Sequence, residues 1–231
     1  MTLHKSSYTS SHTSSHAKER EEICRVGASL FARGYVHATA GNISVRVGSA
    51  YLITPTDACL GQLDPARLAL VDAGGAQISG DRASKTLALH SRIYGADAAA
   101  RCVIHTHSSH LVALCLAGVW SPQNILPPIT PYFVMKVGHV PLIAYHRPGD
   151  PAVGDAVAAA IAAHYGAGTP LRAVMLDRLG PNVWHDSPAA AMATLEELEE
   201  TAKVWLLSGR SAASLTDAQI DELRREFKAR W

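Results

Sequence analysis

The hydrophobic positions of this sequence follow two kinds of spacing, which predict helices and strands in turn. Between residues 19 and 33, Ile23, Val26 and Leu30 recur at helical intervals, and Gly34 follows as a helix-ending residue. The same spacing predicts five more helices, over 84–98 (capped by Ser84), 108–118, 150–166, 189–209 and 216–231.

Short β-rich runs lie between these helices. Residues 41–47 and 50–56 are separated by Gly48 and Ser49, and the run over 69–79 turns at Gly74 and Gly75, so each pair predicts a hairpin. Further strands are predicted over 102–107, 140–145, 173–178 and 182–185. One helix, then clustered strands, then alternating helices and strands indicate a single layered domain of the α/β or α+β class.

Composition and charge narrow the possible functions. The chain has 231 residues, which suits one domain, and 21 Lys and Arg residues against 20 Asp and Glu residues give a net charge of +1. Such a balance argues against a nucleic-acid or membrane-surface protein, and no apolar run approaches the roughly 18 residues of a membrane span. The four cysteines show no C-x-x-C spacing, so we expect free thiols and a reducing, cytoplasmic location.

The first 18 residues differ in composition from the rest. They are rich in Ser, Thr and His and contain no apolar segment of the kind found in secretory signals. Such a stretch cannot bury enough surface to order itself. We therefore predict a disordered tail over residues 1–18 and one folded domain over residues 19–231.

The sharpest chemical feature is His105-Thr106-His107, at the end of the apolar run that starts at Cys102. Residues i and i+2 of a strand point to the same face, so two imidazoles there can share one divalent ion. Ligand sites are usual at the carboxyl ends of strands in α/β sheets. The pattern H-x-H alone is a weak signal, and two histidines with ordinary hydrogen bonds would look the same.

The order of motifs around this pair resembles the class II aldolase/adducin family. Gly41-Asn42-Ile43-Ser44 precedes Thr54-Pro55-Thr56, then Ser84-Lys85, His90 and the His-x-His pair. The segments TPYFVMKVGHVPLIAYHRPGD (from Thr130) and LEELEETAK (from Leu195) are similar to the 3-oxo-tetronate 4-phosphate decarboxylase branch, which is related to the fuculose-phosphate aldolases. The resemblance implies one domain with a central, mainly antiparallel sheet flanked by helices.

The resemblance also implies roles for individual residues. His105 and His107 occupy two of the three positions that bind zinc, or another divalent metal, in the family. The family positions that hold the substrate phosphate correspond to Gly41, Asn42, Thr56, Ser84 and Lys85. Backbone N–H groups, hydroxyls and an amide can form such an anion site, although each residue alone also fits a turn or a helix cap.

Three functional positions depart from the family pattern. Thr86 stands where the family has the glutamate that transfers protons, and a neutral hydroxyl cannot act as a base at neutral pH. Leu179 stands at the position of the third zinc histidine and cannot bind metal. Asp57 replaces a glycine and brings a carboxylate beside the phosphate-binding loop, where it should weaken anion binding.

Other side chains could compensate for these changes. His110 follows His107 at i+3 and could complete a three-histidine site, although a surface histidine in the first helical turn fits the pattern too. Asp57 and His185 are further candidates to reach a metal ion. Tyr145 could supply an acid or base, although a strand end before a Pro-Gly turn is an equally simple interpretation.

Three functions remain open at this point. The first is a metal-dependent carbon–carbon lyase, a decarboxylase or aldolase, acting on a small phosphorylated keto-sugar acid. The second is a non-catalytic or impaired member that keeps the fold, since a fold does not fix a function. The third is a lyase for a substrate without phosphate. The resemblance also implies a homo-oligomer, with a tetramer the commonest form.

Overall fold

The two predicted hairpins form one half of a single eight-stranded sheet. The structure, a computed structural model, describes residues 15–231, so most of the predicted tail lies outside the described residues. Helix α1 (Ala17–Ala32) precedes strands β1 (Asn42–Val47), β2 (Ala50–Ile53), β3 (Ala69–Val71) and β4 (Gln77–Ser79). The turns fall at Gly48-Ser49 and at Gly74-Gly75, as the sequence predicts.

The second half of the chain alternates helices and strands. The order is α2 (Leu87–Ala96), β5 (Cys102–His105), α3 (Ser109–Ala117), β6 (Leu142–Ile143), α4 (Ala152–Gly166), β7 (Ala173–Leu176), β8 (Gly180–His185), α5 (Pro188–Leu207) and α6 (Asp217–Phe227). A π-helical turn over Phe133–Val137 and short 3₁₀ turns over Leu60–Gln62 and Pro65–Arg67 complete the fold.

The strand order across the sheet is β4-β3-β2-β1-β5-β8-β7-β6. Every neighbouring pair is antiparallel except β6 and β7, which are parallel. Strands β1, β5 and β8 form the centre, and each has neighbours on both sides. The predicted single domain with a mainly antiparallel sheet is therefore confirmed.

Each face of the sheet buries its own hydrophobic cluster. On one face, Ile43, Ile104 and Val183 pack with residues of α1, α3 and α5. On the other face, Val103 and Trp184 pack with residues of α2 and α4. The two-residue period of the strands thus separates the helices into two layers.

Several predicted boundaries are wrong, including the ends of β2 and α6, and two of the differences have identifiable reasons. Helix α2 begins at Leu87 after Thr86, and no side chain caps it, whereas the prediction placed the start and the cap at Ser84. The backbone N–H of Ser84 instead bonds to the carbonyl of Thr54. Strand β6 has two residues where six were predicted, because it is an edge strand paired only with β7.

The remaining global expectations concern cysteines and membranes. All four cysteines lie in the described part of the chain and are free thiols, so the prediction of no disulfides holds. Within residues 15–231, the helices are too short or too polar to cross a bilayer.

Candidate active site

A row of polar side chains crosses the three central strands on the face covered by α2 and α4. Asn42 of β1 pairs with His105 of β5, and His105 pairs with Asn182 of β8. Directly paired residues of antiparallel strands point to the same face, and Val103 and Trp184 of the α2–α4 cluster lie on it as well. The row therefore brings two amides and an imidazole together at one end of the sheet.

Hydrogen bonding fixes the tautomer of His105. Its Nδ1 lies 2.9 Å from the carbonyl oxygen of Pro181, which can only accept, so Nδ1 carries the proton and Nε2 has a free lone pair. Burial lowers the pKa of His105 to about 4, because the charged imidazole would lose its hydration there. The side chain is thus neutral at physiological pH, which is the form that binds a metal.

His107 lies next to His105 and is only half-buried. The two ring centroids are 5.0 Å apart. Burial and, to a smaller extent, the nearby His37 lower the pKa of His107 below its ordinary value. The exposed His37 ring lies 6.5 Å from the His107 ring and was missed by the sequence analysis. The only available signal was a lone histidine in the loop before Gly41.

His90 of α2 is buried and close enough to His105 for the two to affect each other electrostatically, and we call these two residues the buried imidazole pair. The Nδ1 atom of His90 is 2.7 Å from the hydroxyl of Ser44, which is 2.8 Å from the hydroxyl of Tyr94. Burial, with a smaller effect from His105, lowers the pKa of His90 to about 3. Both members of the pair are therefore neutral in the folded protein.

Several polar atoms in this region have no partner among the described residues. They are Oδ1 of Asn42, Nε2 of His90 and both amide atoms of Asn182. A buried polar group without a hydrogen bond costs about 1–3 kcal/mol, so such a concentration points to water, an ion or a ligand. The sequence analysis overlooked Asn182, although a single amide in the apolar run GPNVWH was a usable signal.

The loops predicted to bind phosphate converge on the same end of the sheet. Gly41 has a φ of +83°, and a side chain there would collide with the carbonyl oxygen of His105 at 2.8 Å, so only glycine allows this approach. The N–H of Ile43 donates to the Thr54 hydroxyl over 3.2 Å, which joins the Gly41–Asn42 turn to the next loop.

The Thr54–Asp57 loop is bonded in turn to the segment that precedes α2. The Thr56 hydroxyl donates to the carbonyl of Ala83 over 2.9 Å, and the Ser84 hydroxyl lies 2.5 Å from that of Thr86. Gly41, Asn42, Thr56 and Ser84 are thus brought together. Lys85 is exposed, and its side chain makes no hydrogen bond or salt bridge to any other described residue.

Asp57 keeps the backbone conformation of a glycine. Its φ is +58°, in the left-handed region, and its carboxylate is exposed. The loop therefore has a glycine-like turn with a negative charge added to it.

The two other altered positions lie close to the polar row. Thr86 directly precedes α2, one turn before His90, whose N–H bonds to the carbonyl of Thr86 over 3.1 Å. Leu179, in the tight turn between β7 and β8, packs against the hydrophobic cluster under α2 and α4. The next residue, Gly180, approaches β5 so closely that an added Cβ would lie 2.0 Å from the carbonyl oxygen of Thr106. An apolar side chain thus lies at the position where the sequence resemblance predicts a third metal ligand.

The donors present match the family's metal centre only in part. Two imidazoles bound at about 2.0–2.1 Å to one tetrahedral ion would have ring centroids about 5 Å apart, which agrees with His105 and His107. The described residues contain no group of three or more His, Cys, Asp or Glu side chains placed to hold an ion. The residues therefore do not build the three-histidine site.

His110, the predicted replacement ligand, has another partner. Its Nδ1 lies 2.8 Å from Oε1 of the buried Glu199, and the same carboxylate accepts the backbone N–H groups of His110 and Leu111. Glu199 thus caps the start of α3 from α5, a contact that sequence spacing could not reveal. The structure does not bring His110 together with His105 and His107.

The remaining candidates lie apart from the row. Tyr145 is 62% exposed, and its hydroxyl makes no hydrogen bond within residues 15–231. His185 is the last residue of β8, three residues after Asn182, and it bonds to Asp186 over 2.7 Å. Arg178 and Asp177 form a loose ion pair at 3.9 Å in the turn beside Leu179.

Comparison with known proteins agrees with this geometry. A family model described as the class II aldolase and adducin N-terminal domain matches residues 21–206. This chain belongs to the class II aldolase/adducin family. The expectation from the sequence motifs is therefore confirmed.

Individual relatives of this class II aldolase/adducin protein cover almost its whole length. It is 56% identical over 220 residues to a protein of Cupriavidus necator named 3-oxo-tetronate 4-phosphate decarboxylase, which covers 93% of this chain and 98% of the relative. The crystal structure of YgbL from Escherichia coli has a TM-score of 0.81 at 40% identity, covering 89% of this chain and 97% of YgbL.

A more distant solved structure shares the fold alone. An L-fuculose 1-phosphate aldolase superposes with a TM-score of 0.76 at 21% identity, over 92% of this chain and 97% of that one.

Proposed function

We propose that this chain is a carbon–carbon lyase of the decarboxylase type, acting slowly on a small phosphorylated 3-oxo sugar acid. The observation that carries the proposal is the convergence of the Gly41–Asn42 turn, the Thr54–Asp57 loop and the Ser84–Thr86 segment on His105 and His107. The 56% identity to a protein named as such a decarboxylase supports the choice of substrate class.

The three loops would bind the phosphate. The Thr56 hydroxyl bonds to the carbonyl of Ala83, the residue before Ser84, and Asn42 adds an amide next to His105. Hydroxyl, amide and backbone N–H donors suit phosphate oxygens. The exposed carboxylate of Asp57 would oppose this binding, so we expect a high KM for a phosphorylated substrate.

A 3-oxo acid has a ketone two carbons from the carboxylate. When the bond between C1 and C2 breaks, carbon dioxide leaves and the electron pair moves through C2–C3 onto the ketone oxygen, giving an enolate. Placement of a donor at that oxygen lowers the barrier, and His107, neutral and half-buried, can donate its N–H there. C2 then takes a proton from water, and the product is a three-carbon phosphorylated ketone.

A divalent ion held here would replace the His107 N–H and would act as a Lewis acid on the ketone oxygen. His105 and His107 are the residues that would hold it, with zinc the best match to two imidazoles, and Leu179 removes the third donor. Thr86 likewise removes the family's acid/base group, which is typically worth 10²–10⁴ in rate. We therefore propose a turnover rate lower by at least about 100-fold than that of a relative with the full residue set.

Release of carbon dioxide from a four-carbon 3-oxo acid, with and without a 4-phosphate, tests this proposal. We expect slow turnover that is lost in His107→Ala and retained in the control His146→Ala, whose imidazole lies near Asp150, outside the polar row. Asp57→Gly should lower KM for the phosphorylated acid alone. Equal turnover of both acids would contradict a phosphate-binding role for these loops.

The altered residues favour one alternative, a binding protein without turnover. Thr86 and Leu179 remove an acid/base group and a metal ligand while the loops stay assembled. Under this alternative, the phosphorylated acid would bind to the protein in calorimetry without release of carbon dioxide.

We also propose that the chain acts as a cytoplasmic homo-oligomer, with a tetramer as the expected form. Exposed apolar side chains on α3 and α5 support this, since Leu116 and Leu207 are 61% and 78% exposed. Light scattering coupled to gel filtration would give the mass, and a monomer at micromolar concentration would contradict the proposal.

A further inference from the structure

Asn182 is an unusual side chain for the middle of a central strand. It is 0% exposed, and neither atom of its amide has a hydrogen-bond partner among residues 15–231. The residues that follow it on β8, Val183 and Trp184, and its partner on β7, Val174, are apolar and equally buried. A buried amide without partners is costly, and an apolar side chain would avoid that cost. The Asn182 amide therefore needs a bound group that can both accept and donate hydrogen bonds.

His90 presents a second unsatisfied atom, and its hydrogen bonds fix its tautomer. The Tyr94 hydroxyl donates to the carbonyl oxygen of Ser44 over 2.9 Å, so the Tyr94 oxygen accepts from the Ser44 hydroxyl at 2.8 Å. The Ser44 oxygen in turn accepts from Nδ1 of His90 at 2.7 Å. Nδ1 therefore carries the proton, and Nε2, which is buried without a partner among residues 15–231, has a free lone pair.

Both residues lie beside His105. Asn182 pairs directly with His105 across β5 and β8, so their Cα atoms are about 5 Å apart and their side chains point to the same face. The electrostatic effect of His105 on His90 shows that the His90 ring is close to the same position. Asn42, on the other side of His105, adds an unpartnered amide oxygen. We call Asn42, His90 and Asn182 the buried polar cluster.

Water matches the unpartnered atoms of the buried polar cluster, which are three acceptors and one N–H donor. A buried water typically makes about three hydrogen bonds to groups that are otherwise unsatisfied. A water that accepts from the amide N–H of Asn182 and donates to Nε2 of His90 keeps its second O–H for a further group. A divalent ion fits less well, because residues 15–231 place no group of three or more His, Cys, Asp or Glu side chains around one point.

We propose that a water held by Asn182 and His90 protonates C2 after carbon dioxide has left, an inference that rests on the proposed lyase function. His105 is next to both the buried polar cluster and His107, and His107 donates to the ketone oxygen in that function. The water is therefore near the reacting carbons. It does the work of the glutamate that the sequence resemblance predicts at Thr86, whose neutral hydroxyl is a poor acid.

In this step, the electron pair of the enolate forms the new C2–H bond with a hydrogen of the water, and the O–H bond of the water breaks. The hydroxide that remains takes a proton from solvent, so each turnover consumes one proton and releases one carbon dioxide. Asn182 and His90 do not touch the substrate and are positioning residues. Because they fix the water on one side of the enolate, the hydrogen is added to one face of C2.

Turnover in D₂O reports where the proton donor lies. C2 of a 3-oxo sugar acid carries one hydrogen and one hydroxyl, so a deuteron added there gives a CHDOH carbon with a defined configuration. NMR of the product after coupling to a chiral acid gives the ratio of the two configurations. We expect one configuration in large excess from the natural chain, and nearly equal amounts from Asn182→Leu, which keeps a similar volume but removes the amide.

Two further variants separate the fixed water from a general effect on the fold. Asn182→Ser keeps a hydroxyl that can hold the water and should retain an excess of the same configuration. The matched control is Val157→Ala, which loosens the packing of α4 in the hydrophobic cluster of this face without removing a polar atom. It should keep the full excess. The ratio is measured on the product that forms, so it does not depend on the rate, and circular dichroism establishes that each variant is folded.

A crystal structure of the natural protein tests the water without turnover. We expect density for a water within hydrogen-bond distance of the Asn182 amide and of Nε2 of His90, and its absence would overturn the proposal. Equal amounts of both configurations from the natural chain, or an excess unchanged in Asn182→Leu, would also overturn it. If the natural chain releases no carbon dioxide, the proposed function and the donor role both fail, whereas density for the water would still support the binding site.

Discussion

The substitution Leu179→His tests most directly whether a third imidazole at this position completes a metal site with His105 and His107. The turn before β8 is held against β5 by the contact of Gly180 with the Thr106 carbonyl, so residue 179 stays next to the His-x-His segment. His105 and His107 already have the ring separation of two ligands on one ion. The new side chain would supply the missing donor.

The expected size of the effect can be worked from these contacts. Leu179 is partly buried in the cluster under α2 and α4, so its loss should cost about 1–2 kcal/mol of unfolding free energy without metal. A third imidazole should tighten zinc binding by at least about 100-fold. Zinc at 100 times its Kd stabilises a protein by about 2.7 kcal/mol, which for this length is a rise in Tm of about 5–10 °C.

Thermal unfolding with and without zinc measures both the stability lost on substitution and the stability gained from zinc, and elemental analysis gives the zinc content. Leu179→His should have a lower Tm than the natural chain without metal, a zinc-dependent rise, and about one zinc per chain. The matched control is Leu179→Met, which conserves volume and should show no zinc-dependent rise. A Leu179→His variant that neither retains zinc nor gains stability with it would refute the inferred position of residue 179.

Three further predictions follow from other contacts. Gly180→Ala should lower the free energy of unfolding in urea by about 3 kcal/mol or more, because φ is +140° there and the added Cβ would meet the Thr106 carbonyl. Gly34→Ala, at a φ of +74° in open space, should lower it by only about 1 kcal/mol; equal costs would contradict the close approach of Gly180 to Thr106. Glu199→Ala should lower the free energy of unfolding by about 3 kcal/mol, because it leaves the backbone N–H groups of His110 and Leu111 without an acceptor. His110→Ala should lower it less and should leave the zinc content unchanged. The pKa values of the buried imidazole pair, about 3 and 4, lie below the unfolded value of about 6.5, so the unfolded state binds more protons. The free energy of unfolding, complete above pH 6.5, should therefore fall by up to about 3 kcal/mol per pH unit as the pH drops towards 4. A flat profile would show that the pair is hydrated by bulk solvent.

Local signals explain why much of the fold could be predicted from the sequence. Gly48-Ser49 and Gly74-Gly75 mark turns whose conformation depends on the residues themselves, and both hairpins form there. Helices with long apolar periodicity, such as α5, were also placed within a residue or two. Elements that depend on neighbours were not, as the two-residue β6 and the π-helical turn show.

The residues of the candidate site show the same contrast between local sequence signals and contacts formed only on folding. The His105-x-His107 pair and the loops predicted to bind phosphate could be singled out because their residues are close in sequence and match a family order. Glu199 was missed because it is far from His110 in sequence and meets it only when α3 packs on α5. Asn182 was missed because its importance comes from a strand pairing with His105.

The central claim is that this protein slowly decarboxylates a phosphorylated 3-oxo acid. The most direct test labels the carboxyl carbon of that acid with ¹³C and follows it by NMR, with the enzyme at the same concentration as the substrate. A lyase with a weakened site predicts slow formation of labelled carbon dioxide and of a three-carbon phosphorylated ketone, both abolished by His107→Ala. Saturable binding of the acid with no labelled carbon dioxide above the enzyme-free rate, even with added zinc, would contradict that claim and leave a binding protein on an aldolase fold.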